Sequence, residues 1–407
     1  MKQPVASKLT YWAEYICEFS FLSAVFVLPF SKALLEVFLT ISFISWFLLK
    51  LFSKGNLLKN KAILAVAVLL FISSSISAFG FEHPHIVIHG LFKLLRYTLI
   101  FLTAYDFFNS SLRIRRLIWV ALISFYFLAV DSLIQMALGQ DLVNHISIKF
   151  TDTQLRATGP FTSYGLLASF LIGILPIIVA LTFDKNLNSL RKILLSALAM
   201  LGFYLLYKTY SRGAWLAAIT SWYIFGLLTK KRILLILLTV ILIAVPLTMP
   251  RNAIIHLDMH KKEQSLIERF YLWDRAIQVI KAKPLFGCGI NTYTYDYQKF
   301  DKTKSWRVPG YYAHNGYLQL AAETGLVSLF LFFIILGSGL QSGYLAFKKS
   351  KDDKKLLLAG LISGFAALLL QAAVDTTLHN LQSAVLIWLF LGLMFASKDL
   401  AKKGKYA

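Results

Sequence analysis

The chain has 407 residues, of which 57% are hydrophobic and only 15% are charged. A soluble protein carries roughly a quarter charged residues, so this composition excludes an ordinary soluble fold and indicates an integral membrane protein. The formal net charge of +22 raises nucleic-acid binding as an alternative. The basic residues, however, lie in short loops between apolar segments without interleaved aromatic residues, and we expect no nucleic-acid partner.

Apolar segments of about 20 residues, which span the hydrocarbon core of a bilayer as a helix, recur along the whole chain. They predict about twelve transmembrane helices, near residues 12–30, 33–50, 62–79, 87–107, 115–138, 162–183, 192–209, 213–229, 232–249, 322–347, 355–375 and 381–397. No small-residue cleavage site follows the first segment, so we interpret it as a retained span and not as a signal peptide. The expected fold class is an all-α integral membrane protein.

Basic residues cluster in every second loop between the predicted helices. The clusters are Lys50, Lys54, Lys59 and Lys61; Arg113, Arg115 and Arg116; Lys185, Arg191 and Lys192; Lys230, Lys231 and Arg232; and Lys348, Lys349, Lys351, Lys354 and Lys355. Because basic loops stay on the cytoplasmic side of a membrane, this alternation predicts that both termini are cytoplasmic. The intervening loops then lie outside.

Two outside segments, near 139–161 and 250–315, are too long to be simple connectors, and loops of such length are usually functional. We divide the chain into transmembrane helices one to nine (1–250), an outside loop domain (251–315) and helices ten to twelve (316–407).

Apolar residues repeat at helical spacing within the large outside loop. They are Leu266, Phe270, Trp273, Ile277 and Ile280. This pattern predicts an amphipathic helix that lies on the outer membrane surface, with membrane lipids as partners, or a lid that packs on the helix bundle.

Two groups of histidines have spacing that could bind a metal. One comprises His83, His85 and His89, and the other comprises His256 and His260. Neither brings an obvious complete ligand set, and no Asp-x-Asp pair occurs outside. We expect no metal, and the role of both groups stays open.

Arginines at the outer membrane boundary are the stronger signal. Arg156 precedes helix six, Arg212 lies in the tight turn Tyr210-Ser211-Arg212-Gly213, and Arg269 lies on the amphipathic helix. The planar guanidinium donates two parallel hydrogen bonds to phosphate oxygens. These residues therefore predict a site for a lipid-linked diphosphate.

Helix four adds two further cations near its outer end. Lys93 and Arg96 are three residues apart and so share one face. Charges at membrane depth tend to face a cavity or a partner, although snorkelling to lipid headgroups is an alternative for Lys93.

His314 closes the large loop, in Tyr-Tyr-Ala-His314-Asn315-Gly-Tyr. Taken alone it could be an ordinary loop residue. Three stretches together nevertheless resemble the O-antigen ligase family of the bacterial ligase/polymerase superfamily. They are 210–217 (YSRGAWLA), 269–276 (RFYLWDRA) with 284–289 (PLFGCG) downstream, and His314-Asn315 separated by nine intervening residues from Gly325. The family pattern ends in Gly, Thr or Tyr where this chain has Ser328, and the segment at Arg156 is similar more weakly.

The resemblance implies a GT-C-like glycosyltransferase at the periplasmic face of the bacterial inner membrane, in lipopolysaccharide biosynthesis. It implies transfer of a glycan from undecaprenyl diphosphate to the lipid A-core oligosaccharide, in an inverting reaction without metal or other cofactor. His314 would be the general base, and Arg212 and Arg269 would stabilise the diphosphate. The residues expected to bind substrate are Arg156, Lys93, Arg96, Tyr210, Ser211, Asn315 and Trp273.

Three alternatives remain from the sequence. An O-antigen polymerase or a protein O-oligosaccharyltransferase shares the fold and the donor but uses another acceptor. A transporter or lipid flippase belongs to a different class, for which broken helices and charges near the bilayer midplane are expected. The sugars of donor and acceptor and the oligomeric state are left open.

Overall fold

The computed structural model describes residues 5–53, 61–77, 84–151, 154–231, 259–300 and 311–403. The helices in these ranges, numbered in chain order, are α1 (Val5–Val27), α2 (Lys32–Ser53), α3 (Lys61–Ile76), α4 (Pro84–Phe107), α5 (Ser111–Leu138), α6 (Tyr164–Thr182), α7 (Ser189–Lys208), α8 (Arg212–Thr229), α9 (Met259–Ala282), α10 (Tyr293–Asp296), α11 (Gly316–Lys349), α12 (Asp352–Ala372) and α13 (Leu381–Lys402). A 3₁₀ turn covers Tyr297–Phe300.

Eight of the described helices are long and apolar enough to cross a membrane. They are α2, α4, α5, α6, α7, α11, α12 and α13, and a shorter apolar stretch covers Ile63–Ile76. A helical, multi-pass membrane protein is therefore confirmed. The predicted helix near 232–249 lies outside the described residues, and the total of twelve stays a prediction.

One short hairpin interrupts the helical pattern. Strands β1 (Lys149–Thr151) and β2 (Gln154–Arg156) pair antiparallel, with Phe150 opposite Leu155. The sequence predicts a long outside segment here, near 139–161, in an all-α protein. Within the described residues it is the one place where strands pair, and its second strand ends at Arg156.

Helices α6 and α13 form the centre of the bundle, because their apolar residues are buried on all sides. A helix that is apolar all round lies in a core. Helix α12 packs closely on α6: a Cβ added at Gly364 would lie 2.2 Å from the carbonyl oxygen of Gly173. Glycine at this contact lets the two backbones approach.

Helix α11 is broken at Gly325, which adopts φ 82° and ψ 171°. The turn at 284–289 fills the break. Cys288 N donates to Ala322 O at 2.9 Å, and Gly289 N donates to Glu323 O at 2.8 Å. A break frees helical carbonyls that must find other donors. The contact explains why the segment 284–289 and Gly325 occur together in this sequence.

Helix α9 buries a different face from the one that its periodicity predicts. Leu272, Ala276 and Val279 are the buried residues, packed in a small separate core with tyrosines of the following turn. Phe270 and Ile277, which belong to the apolar repeat of the sequence, are 61% and 40% exposed. The side chain of Leu266 lies outside the described part of the chain.

Two tyrosines that follow α9 in the chain explain which of its faces is buried. Tyr293 is fully buried, and its hydroxyl donates to Leu272 O at 2.9 Å. Its ring stacks on Tyr297 with centroids 5.4 Å apart. Aromatic side chains of this size dominate local packing, and they select the helix face that they cover.

Candidate functional site

A cavity of about 400 Å³ opens at one end of the helix bundle. Its walls come from the end of β2, the beginnings of α6 and α8, one residue of α9, His314, and the connection between α12 and α13. Six of the residues expected at the site line it: Arg156, Tyr210, Ser211, Arg212, Arg269 and His314. Residues that are far apart in the chain are thus brought together at one cavity.

His314 lies immediately before α11 in a left-handed backbone conformation, with φ 49°. Such a conformation costs a residue with a Cβ about 1–2 kcal/mol, and strain of this kind occurs preferentially at functional sites. The next residue, Asn315, caps the helix: its side chain accepts from the backbone N–H groups of Tyr317 and Leu318 at 3.1 and 3.0 Å. Asn315 therefore positions His314, and its side chain is not part of the cavity wall.

The imidazole of His314 faces a carboxylate. Its buried Nδ1 lies 3.8 Å from Asp375 Oδ1 and has no hydrogen-bond partner among the described residues. Oδ1 of Asp375 also accepts from the backbone N–H of Thr376 at 2.7 Å. Burial raises the pKa of Asp375, but His314, this N–H group and the charge of Arg269 together outweigh it, so the pKa lies below its ordinary value. Asp375 is therefore ionised beside the histidine.

Sequence reasoning missed Asp375. It lies at the outer end of a predicted helix, in a connection that carries no other charged side chain except a histidine. The Asp-x-Asp pattern of a metal site does not detect a single acidic residue. Asp375 could have been identified as a single acidic residue at the membrane end of a predicted helix, because charges at that depth tend to face a cavity or a partner.

Arg269 contributes to the wall and to the connection that carries Asp375. Its Nη1 donates to Val374 O at 2.9 Å. The guanidinium of Arg156 lies over the ring of Tyr164, with 4.7 Å from Cζ to the ring centroid. Its buried Nε has no partner among the described residues. A buried donor of this kind is available to an anionic ligand.

Arg212 is the first residue of α8, so the positive end of a helix dipole reaches the cavity beside its guanidinium. The preceding Tyr210 adopts φ 50° and packs on Tyr207 and Trp215. Trp215 Nε1 in turn donates to Leu206 O at 3.0 Å, which fixes the turn between α7 and α8. Helix α6 begins at the same cavity, so two helix N-termini and three arginines form a site for an anion.

Besides Asn315, three residues expected to bind substrate do not line this cavity. Lys93 Nζ donates to Asn291 Oδ1 at 2.8 Å and borders a smaller cavity of about 80 Å³. Arg96 forms an ion pair with Glu36 of α2. Trp273 packs edge-on against Phe270, with ring centroids 5.5 Å apart. Their proposed contact with substrate gains no support from this geometry.

The described residues contain no group of three or more histidine, cysteine or acidic side chains that could hold a metal ion. Of the histidines in the two spaced groups, His83 and His256 lie outside the described residues. His85 and His89 lie on α4, and His260 lies on α9.

The loops predicted to be cytoplasmic meet at the opposite end of the bundle. A cavity of about 610 Å³ there is lined by residues that include Arg115, Asp184, Lys351 and Asp353. This arrangement agrees with the alternation of basic loops along the chain. The side of the membrane that each end faces stays a prediction.

A comparison with protein-family models matches residues 195–333 to the model described as O-antigen ligase. The matched segment runs from α7 into α11 and contains Arg212, Arg269 and His314. Arg156 and Asp375 lie outside it but contribute to the same cavity. A search of curated proteins finds no match.

Proposed function

We propose that this chain is an O-antigen ligase, and its similarity to that family at residues 195–333 supports the proposal. It transfers a glycan from undecaprenyl diphosphate to the lipid A-core oligosaccharide. The reaction takes place at the periplasmic face of the bacterial inner membrane, with both termini in the cytoplasm.

The observation that carries this proposal is the cavity in which His314 and Asp375 face Arg156, Arg212 and Arg269. A transferase that uses a lipid diphosphate donor needs two functions in one place: a base for the acceptor hydroxyl and cations for the leaving group. His314 with its neighbour Asp375 supplies the first function, and the arginines with the N-termini of α6 and α8 supply the second.

The donor diphosphate lies among the arginines in this proposal. Guanidinium groups bind its oxygens as paired donors, and the unpartnered Nε of Arg156 is one such donor. As the bond between the anomeric carbon and the diphosphate breaks, negative charge grows on the leaving oxygen. Preorganised cations stabilise that charge more in the transition state than in the ground state.

His314 acts on the acceptor. Its Nδ1 faces Asp375, which leaves Nε2 to take the proton of the acceptor hydroxyl. The acceptor oxygen forms a bond to the anomeric carbon while the bond to the diphosphate breaks on the opposite face, so the configuration inverts. The proton on Nε2 then passes to solvent or to the released diphosphate. The negative Asp375 stabilises the imidazolium between these steps.

The reaction needs neither a metal nor a nucleotide. The donor already carries a diphosphate leaving group, and three arginines are available to compensate its charge. This supports the expectation drawn from the sequence resemblance.

The break in α11 bears on the transporter alternative, because broken helices are expected of that class. The carbonyls freed at Gly325 are taken up by the turn 284–289. The break therefore joins the outside loop to the helix that follows His314. Such a role fits a fixed active site better than a substrate path across the bilayer.

The proposal is tested by deleting the gene and separating the lipopolysaccharide on a gel. A ligase predicts the loss of every polysaccharide-bearing band, with recovery by the wild-type gene and no recovery by His314→Ala. Survival of bands with a single repeat indicates a polymerase, and an unchanged ladder contradicts both.

A further inference from the structure

Glu323 is a buried carboxylate in the first part of α11, just before the break at Gly325. It is 2% exposed. Its Oε1 accepts from Gln319 Nε2 at 3.0 Å, and its Oε2 accepts from Asn291 N at 2.9 Å. His379 Nε2 lies 3.4 Å from the same Oε2. The carboxylate therefore joins α11 to two other segments of the chain.

The contact with Gln319 reaches the backbone next to His314. Gln319 is fully buried, and its Oε1 accepts from the N–H of Ala313 at 3.2 Å. Two hydrogen bonds in series thus link Glu323 to the backbone N–H of Ala313, the residue before His314. Because His314 adopts a left-handed conformation, its side-chain direction depends on how that peptide is held.

The contact with His379 reaches the connection that carries Asp375. His379 N donates to Thr376 O at 2.9 Å, which closes a turn one residue after Asp375. Asn380 Nδ2 also donates to Thr376 O, at 3.3 Å. This turn sets the direction of the Asp375 carboxylate, and Glu323 holds one end of it.

We propose that Glu323 is a positioning residue that sets the His314–Asp375 distance by holding the backbone on both sides of that pair. Gln319 transmits its effect to His314, and His379 transmits it to Asp375. The inference rests on the proposed function, because it assigns these contacts a purpose in transfer.

The charge of Glu323 matters for this role, since an ionised carboxylate accepts from all three donors at once. Glu323→Gln keeps the size of the side chain but places an amide NH₂ where an acceptor is needed. The variant therefore loses at least one of the three contacts with Gln319, Asn291 and His379, while α11 keeps its packing. Gln319→Met removes both hydrogen bonds of Gln319, and with them the connection to Ala313, at nearly the same volume, while Glu323 keeps its contact with His379.

The test measures kcat and KM for transfer, binding of undecaprenyl diphosphate and the thermal unfolding midpoint for both variants. Gln382→Met is the matched control, because Gln382 is also buried and donates to Leu28 O at 2.9 Å, away from the pair. We expect kcat to fall at least about tenfold for Glu323→Gln and Gln319→Met, as expected when one charge-assisted contact is lost. Binding of undecaprenyl diphosphate should change less than twofold, and Gln382→Met should keep its kcat.

A double-mutant cycle with Asp375→Asn separates positioning from general stability. If Glu323 acts through the pair, Glu323→Gln added to Asp375→Asn should lower kcat by less than twofold further. Additive losses, or a lower unfolding midpoint with unchanged kcat, would overturn the inference. If Asp375→Asn lowers kcat while Glu323→Gln does not, this inference alone fails. Wild-type protein without any transfer contradicts the proposed function as well.

Discussion

Nδ1 of His314 lies 3.8 Å from Oδ1 of Asp375, and both residues line a cavity that three arginines also line. The distance is longer than a hydrogen bond. Catalytic contacts are often long without substrate and shorten in the reacting complex. In the proposed reaction His314 is the base and Asp375 its counter-charge, and folding brings them together from segments that are distant in the chain.

Asp375→Asn should lower turnover by about 10- to 100-fold, the equivalent of one hydrogen bond to a charged group. Binding of undecaprenyl diphosphate should not weaken, because the substitution removes a negative charge near an anion site. Steady-state transfer and donor binding measure the two quantities. Asp353→Asn, at the opposite end of the bundle, is the control and should retain both. Equal losses in the two variants contradict the role of Asp375.

The pH dependence of stability follows from the lowered pKa of Asp375. A carboxyl group whose pKa is lower in the folded state stabilises the fold above its unfolded pKa, and this contribution disappears as the pH falls through the folded pKa. The unfolding midpoint of wild type should therefore exceed that of Asp375→Asn throughout the range from pH 5 to 8. The margin should shrink only at more acidic pH. A margin that shrinks between pH 8 and 5 would contradict this assignment.

His314→Ala separates binding from chemistry. General acid–base catalysis contributes about 10²–10⁴-fold, so turnover should fall by at least that range while donor binding stays nearly intact. Single-turnover transfer and binding of undecaprenyl diphosphate are the measurements. A variant that loses donor affinity but transfers bound donor at the normal rate shows that His314 binds substrate and is not the base.

Arg212→Ala and Arg269→Ala should weaken binding of undecaprenyl diphosphate by about 10- to 100-fold each, because each removes charge-assisted hydrogen bonds. Lysine at either position should restore binding only in part, since an ammonium keeps the charge but loses the paired donors. Arg191→Ala, at an exposed position at the start of α7, is the control. Full rescue by lysine would mean that charge alone is recognised.

Arg275 needs a separate interpretation. It lies on α9 near Arg269, but its Nη1 donates to Phe300 O and its guanidinium pairs with Asp274. Arg275→Ala should therefore lower the stability of the outside loop more than donor affinity. The contrast with Arg269→Ala distinguishes a binding arginine from one that holds the turn after α10.

Gly325→Ala should destabilise the protein by at least about 1–3 kcal/mol, because φ 82° and ψ 171° form a backbone conformation that is essentially restricted to glycine. The added Cβ would also lie 2.0 Å from Leu285 O. Gly337→Ala is the matched control in the same helix, because a Cβ there meets no atom within 4 Å. Alanine favours a helix over glycine by up to about 1 kcal/mol, so the control should not lower the unfolding midpoint. Equal midpoints for the two variants contradict the broken helix.

The orientation of the chain is tested by cysteine labelling. The native Cys17 and Cys288 are buried and free, which keeps the background low. Cysteine at the exposed Lys283 should react with an impermeant maleimide in intact spheroplasts, whereas cysteine at Lys351 should react only after lysis. The reverse pattern would place the cavity in the wrong compartment for the proposed reaction.

The sequence by itself determined the positions of most apolar helices, and it identified the histidine and the arginines that line the cavity. Helices α4, α5 and α13 begin and end within a few residues of the predicted segments. Arg212 and His314 can be identified from the sequence alone, because turn chemistry and family resemblance are local features of the chain. Hydrophobic length and the spacing of neighbouring residues carry this information directly.

Only the tertiary structure decided which of those residues meet. In the folded chain His314 lies beside Asp375, Lys93 donates to Asn291, and Arg96 forms an ion pair with Glu36. The buried residues of α9 are Leu272, Ala276 and Val279. Each of these contacts joins segments that are distant in the chain. The sequence shows which helix face is apolar and which side chains are charged. The partner of each such side chain, however, depends on how the helices pack and on which polar groups lie near a buried charge. These contacts depend on the packing of the whole fold and cannot be read from any single segment of the sequence.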